Sequence, residues 1–240
     1  MALETIIPII IILLIGIFLW GIFKRIFKVF FYVGIAISLL LAVNFYFIYQ
    51  DLTDLKENFA VSTKKVILVD EEEVLTGFLL NGEIDYLADE DIAAFSSYLD
   101  ENNYEKILGD SYKLMIFNVD IISDLETNEI EIREDTITRN RAISILRSGE
   151  PFILLGDEEL ESDTQLKAEV FGTILAEHIL SSENPLFFFS EFKKGNIVIY
   201  PQTSLFKTLK FIPLSLIKDA SKKVLGKTKD KAKAFVEDKI

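Results

Sequence analysis

Four of the five arginines in this 240-residue chain, Arg133, Arg139, Arg141 and Arg147, fall within fifteen residues, while the rest of the polar sequence prefers lysine. A guanidinium is a planar fork that grips a carboxylate or phosphate at two points. The segment is therefore a candidate contact for an anion or an acidic partner. The competing explanation is local charge balance against Glu129, Glu131, Glu134 and Asp135, since surface ion pairs form readily and contribute little. His178 is the only histidine. It falls on the apolar face of an expected helix, beside Val170, Phe171, Ile174 and Leu175. A general base needs an orienting group and a nucleophile within reach, and the sequence shows neither, so a structural histidine is expected. Gly226-Lys227-Thr228 matches the end of a P-loop, but Ser221 stands where the first glycine belongs and no strand precedes it, so the match reads as chance. The acidic clusters Asp70–Glu73, Asp89–Asp91 and Asp157–Glu159 lack the ligand spacing of a calcium loop. Cysteine is absent, which excludes disulfides, thiolate metal sites and a thiol nucleophile. A single histidine excludes multi-histidine metal sites. No catalytic residue, metal or cofactor is expected.

Whatever these residues do, the surrounding chain is built in segregated parts. Half the sequence is hydrophobic and 26% is charged, yet the mean hydropathy is +0.31. Both figures fit one chain only if the apolar residues are concentrated, and residues 6–49 hold most of the excess. The net charge is −13. Residues 51–217 contribute 14 basic and 33 acidic side chains, and residues 218–240 contribute 8 lysines against 4 acids. So acidic a middle repels nucleic-acid phosphate, and no nucleic acid is expected as a partner.

Ile6–Phe23 and Val29–Tyr49 are two apolar runs separated by Lys24, Arg25 and Lys28. As helices they measure about 27 Å and about 31 Å, each near one hydrocarbon thickness, whereas a single helix over both would be about twice too long. The expectation is a two-helix transmembrane hairpin, with helices at about 6–23 and 29–49 and a tight turn at 24–28. Gly34, Ser38 and Ala42, four apart, make a small-residue stripe for close helix packing, within the chain or with a second copy. The basic turn belongs in the cytoplasm by the positive-inside rule, which places the polar domain outside, whereas the basic tail argues for the more anionic cytoplasmic leaflet and keeps the cytoplasmic placement as the alternative. The expected location is the cell membrane, multi-pass. Gly16–Ala42, with small and aromatic apolar residues around the basic turn, resembles the opening of the colicin V production protein family. That family has more membrane helices than two, and no function is carried over from it.

Residues 50–65 read as a stalk and 66–212 as one mixed α+β domain. Strands are expected at 66–69, 74–80 and 83–87, the last two joined at Asn81-Gly82, a strong hairpin signal. Asp89–Asp91 open a helix with apolar Ile92, Phe95 and Leu99. Residues 113–122 read as an interior strand and 135–148 as a helix ended by Gly149 and Pro151. Ser162 and Gln165 cap a helix over 163–181, and 186–192 with 197–200 read as a second hairpin. The tail, 213–240, reads as a basic amphipathic helix with Lys218, Lys222, Lys223, Lys229 and Lys233 on one side, suited to an anionic membrane surface. The whole is a membrane-anchored α+β protein. The leading functional expectation is a non-enzymatic interaction or scaffold protein, with the lipid bilayer and a protein partner or a second copy as its contacts. A carboxylate-dependent hydrolase or transferase and an anion or small-ligand sensor built on the arginine segment are the alternatives.

Overall fold

The computed structural model describes residues 2–132, 135–151, 162–180 and 185–218. It divides into two units, Met1–Gln50 and Asp51–Ile240. The first lies within helix α1 (Ala2–Asn58), 57 residues long and thus roughly 85 Å. The expected hairpin is not formed, because residues 24–28 continue the helix without a turn. Local chemistry explains this. Reversing a helix takes residues that stop it or accept positive φ, chiefly glycine, proline and asparagine. The segment Phe23-Lys24-Arg25-Ile26-Phe27-Lys28 has none, and lysine and arginine are good helix formers. Lys24 and Lys28 lie one turn apart with Arg25 beside them, so the cations form a basic patch on one side of a continuous helix. Beyond it, Val29, Phe30, Phe31 and Tyr32 are all exposed. Four consecutive exposed residues cover every side of a turn, so no face of this stretch is packed within the chain. The helix is long and apolar enough to cross a membrane by length and composition.

The second unit is a mixed α+β domain. Its strands are β1 (Lys64–Asp70), β2 (Glu73–Leu80), β3 (Ile84–Tyr86), β4 (Lys113–Asn118), β5 (Glu129–Ile132), β6 (Asp135–Thr138) and β7 (Ile197–Tyr200). Five form one sheet in the order β3-β2-β1-β4-β7, and β5 and β6 pair separately. Within the large sheet β1 and β4 are parallel, while the other neighbours are antiparallel. The helices after α1 include, among the described residues, α2 (Asp89–Asp100), α3 (Tyr104–Leu108), α4 (Arg139–Arg147), α5 (Asp163–Ile174), α6 (Pro185–Lys194) and α7 (Ser204–Phe211).

The inner strands β1 and β4 are buried on both faces of the sheet, which is why they read as unbroken apolar runs. On one face Ile67, Val69, Leu114 and Ile116 meet Phe95 and Leu99 of α2 and Ile107 of α3. On the other, Val66, Leu68 and Phe117 meet Ile145 of α4, Phe171 of α5 and Phe192 of α6. Phe171 lies 5.8 Å from Phe78 and 5.7 Å from Phe117, ring centre to ring centre. The three rings join β2, β4 and α5. Gly77 of β2 sits opposite Ile67. A Cβ there would stand 2.6 Å from the Val66 carbonyl oxygen, 2.8 Å from Leu87 and 2.9 Å from Ile67, so only glycine fits.

Several other expectations meet the structure differently. Residues 186–192 belong to a helix, α6, rather than a strand. Pro185 is its first residue, where the missing N–H costs nothing and the fixed φ suits the helix. Residues 135–138 are β6, and the following helix starts at Arg139, capped by Thr138, whose hydroxyl accepts from the Arg141 N–H at 3.3 Å. The strand at 113 ends at Asn118, and 119–124 turn as a 3₁₀ helix. Helix α5 passes into a π-helical turn, Leu175–Ile179.

Candidate functional site

The parallel pair β1 and β4 has two chemically opposite ends, and both begin in the sequence. At the amino end each strand opens with lysine. Lys64 pairs with Lys113 in register, and Lys65 follows. All three are buried, so each ammonium needs a partner. Lys64 donates to the Phe59 carbonyl at 2.8 Å and Lys65 to the Ile107 carbonyl at 2.6 Å. The Lys65 ammonium also lies 4.5 Å from the Phe95 ring centre, a cation–π contact. Lys113 lies 4.8 Å from the Tyr112 ring centre and is balanced by Asp54 and Asp51. Burial lowers the proton affinity of both Lys65 and Lys113.

The last two turns of α1, from Asp51 onward, dock on this end. The Tyr112 hydroxyl donates to Asp54 at 2.5 Å, and Asn58 donates to the other oxygen at 2.7 Å. Asp51 accepts from the Leu205 N–H at 2.8 Å, which ties the start of α7 to the same place. Burial, then the bond to Asp54, raise the Tyr112 hydroxyl well above its ordinary range. The sign of the linkage follows. Unfolded Tyr112 loses its proton near pH 10, and the folded form keeps it. The bond therefore contributes fully below pH 10, and its contribution is lost as pH rises further. Tyr112→Phe is expected to cost about 1.5 kcal/mol at neutral pH, as for a hydrogen bond to a charged group. In a urea series read against pH, the wild-type advantage should hold flat to pH 9 and shrink above pH 10. An advantage that persists unchanged above pH 10 would show that the hydroxyl does not bond to Asp54.

At the carboxyl end the residues are mainly acidic, and here one expected arginine finds its place. Arg147 donates to both oxygens of Asp70, at 2.7 and 2.9 Å, and to Asp120 at 3.2 Å. The bond to Asp70 raises its proton affinity further. Nearby Lys194 bridges Asp124 at 2.8 Å and the buried Glu191 at 2.7 Å, and Asn196 donates to Glu191 at 2.7 Å. The arginine segment is thus distributed. Arg147 spans the ends of β1 and β4, whereas Arg139 donates to the Leu125 carbonyl at 2.6 Å. Arg141 sits in the first turn of α4, and Arg133 lies outside the described residues.

His178 is half-buried on the π-helical turn, and its Nε2 has no partner among the described residues. Asp89–Asp91 open α2 as expected, and Asp89 accepts a hydrogen bond from the Thr164 hydroxyl. Asp157–Glu159 and Gly226-Lys227-Thr228 lie outside the described residues. No group of three metal-ligating side chains occurs among the described residues. Gly34, Ser38 and Ala42 are exposed on α1, and Gly34 and Ser38 share a groove with Phe27, Phe31 and Leu39. Lys218 is exposed, while Lys222, Lys223, Lys229 and Lys233 lie outside the described residues, so of the amphipathic tail only 214–218 is seen as helix. The lysine end of the sheet escaped the sequence reading. Its signal was present, since Lys64-Lys65 and Lys113 each open an apolar strand, but nothing in the sequence says that the two strands run parallel and adjacent. No family model matches the chain, and neither a curated protein nor a solved structure matches it.

Proposed function

We propose that this chain is a membrane-anchored interaction protein, with α1 as the anchor and the α+β domain as the part that meets a protein partner. The observation that carries the proposal is the uncovered apolar stretch of α1, with Phe27 77% exposed, Leu40 65% and Phe45 69%. Exposure on that scale is stable in hydrocarbon and costly in water. Val29–Tyr49 spans about 31 Å, one hydrocarbon thickness. The basic patch at Lys24, Arg25 and Lys28 then marks the cytoplasmic boundary, and the domain after Tyr49 lies outside. This is one crossing in place of two, with the same side for the domain.

The anchor also offers self-association. A Cβ on Gly34 would meet nothing within the chain, so a larger side chain there perturbs only contacts with another helix. Gly34→Leu or Ser38→Leu is expected to reduce cross-linked dimer in detergent severalfold, by blocking close approach. Unchanged cross-linking would remove the packing claim. Sidedness is tested with a single cysteine, Lys106→Cys, since the chain has none of its own and Lys106 is half-exposed on α3. A membrane-impermeant maleimide should label it in intact cells. Protection until lysis would place the domain in the cytoplasm.

A further inference from the structure

A patch at the end of α7 has no role in the fold. Phe206 and Leu209 turn inward and pack against the core. Phe211 is 85% exposed, Leu216 58% and Leu214 36%, and Lys207 and Lys210 are exposed beside them. Lys210 stacks 5.3 Å from the Phe192 ring centre, and Lys193 donates to the Ile212 carbonyl at 2.5 Å. These contacts hold the end of α7 against α6, so the apolar residues beyond it are presented rather than frayed. The start of α7 is held as well, since the Leu205 N–H donates to Asp51, the second residue after Tyr49, where the apolar run ends. Its eight residues cover only about 12 Å.

We propose that Phe211, Leu214 and Leu216, with Lys207 and Lys210, insert at the surface of an anionic bilayer and form a second membrane contact in addition to the anchor. The proposal rests on the membrane reading of α1. Exposed aromatic and aliphatic side chains flanked by lysines suit the headgroup boundary, where the rings and chains enter and the ammonium groups meet lipid phosphate. The test works in symmetric vesicles, whichever leaflet the domain adjoins.

The full chain is reconstituted in vesicles of phosphatidylcholine alone or with a third phosphatidylglycerol. Three single-cysteine variants, Leu40→Cys, Leu216→Cys and Lys106→Cys, each carry an environment-sensitive fluorophore, with nitroxide-labelled lipids as quenchers. The Leu40 label should be quenched by deep nitroxides in both vesicles. The Leu216 label should shift to the blue and be quenched by shallow nitroxides in anionic vesicles, and lose this at high salt. The Lys106 label should stay in water. Adding Lys207→Glu and Lys210→Glu should lower the docking equilibrium at Leu216 by more than thirty-fold, at about five-fold per lost lysine before charge reversal is added. If Leu40 is quenched and Leu216 behaves like Lys106, the patch proposal fails and the anchor stands. If Leu40 is not quenched, both fail. A blue shift at Leu216 that is equal in detergent without lipid, or that appears only in native membranes, would overturn the lipid surface in favour of chain or protein cover.

Discussion

Replacing Phe171 by alanine is expected to cost the domain about 4 kcal/mol, the usual loss for a fully buried phenylalanine. Phe171 is wholly buried and its ring meets those of Phe78 and Phe117. It is the point at which α5 is held to both β2 and β4. Removing it leaves a cavity in the centre of that face, and neither partner ring belongs to a chain segment free to collapse into it. Thermal unfolding of the full chain in detergent, followed by near-ultraviolet circular dichroism, should show a midpoint lower by about 10 °C. Phe211→Ala, at an exposed site, should unfold within a degree or two of wild type. Equal midpoints for Phe171→Ala and wild type would mean that α5 does not cover the sheet.

Gly77→Ala should cost about 3 kcal/mol by the opposite route, the insertion of one methyl group into a filled space. The nearest obstacle is the Val66 carbonyl oxygen at 2.6 Å. It belongs to the backbone of the central strand and cannot rotate away. Gly172→Ala is the instructive contrast. There the new carbon would lie an ordinary 3.8 Å from Phe78, and alanine in a helix is favoured over glycine by up to about 1 kcal/mol. The two variants should therefore move the midpoint in opposite directions. A neutral Gly77→Ala would show that β1 and β2 are not in the described register.

The sequence was most legible where one signal acted alone. Asn81-Gly82 closes the β2–β3 hairpin, with Gly82 at φ +77°. Ser162 caps α5 by accepting from the Gln165 N–H at 3.1 Å, and the unbroken apolar run Leu114–Phe117 marked β4 as an interior strand. It was least legible where two readings share one pattern. Leu186–Phe192 is apolar at nearly every position, and a short apolar run does not distinguish strand from helix. The buried positions Phe187, Glu191 and Phe192 carry helical spacing, but a charged residue in that set hid it. In β5 the alternation is present, with Ile130 and Ile132 buried beside exposed Glu129 and Glu131, but four residues are too few for a period of two to stand out in a charged segment. The basic interruption of α1 was read through bilayer thickness, whereas helix propensity governs the local backbone. The lysine end of the sheet and the Arg147 bridge depend on which strands adjoin. That is a property of topology, which spacing along the chain does not carry.

The opposed ends of β1 and β4 also give the domain a direction. The lysines at the amino end are offset by Asp51 and Asp54, whereas at the carboxyl end Asp70, Glu71, Glu72, Glu73, Asp120, Asp124 and Glu191 outnumber Arg147 and Lys194. The surplus negative charge therefore sits at the end of the sheet remote from Asp51 and Asp54. A seven-residue strand is about 23 Å long, and charge is screened over about 8 Å at physiological ionic strength. The two ends are therefore screened from each other at physiological salt, and the domain carries a dipole along β1 and β4 that an approaching charged molecule meets as two separate patches.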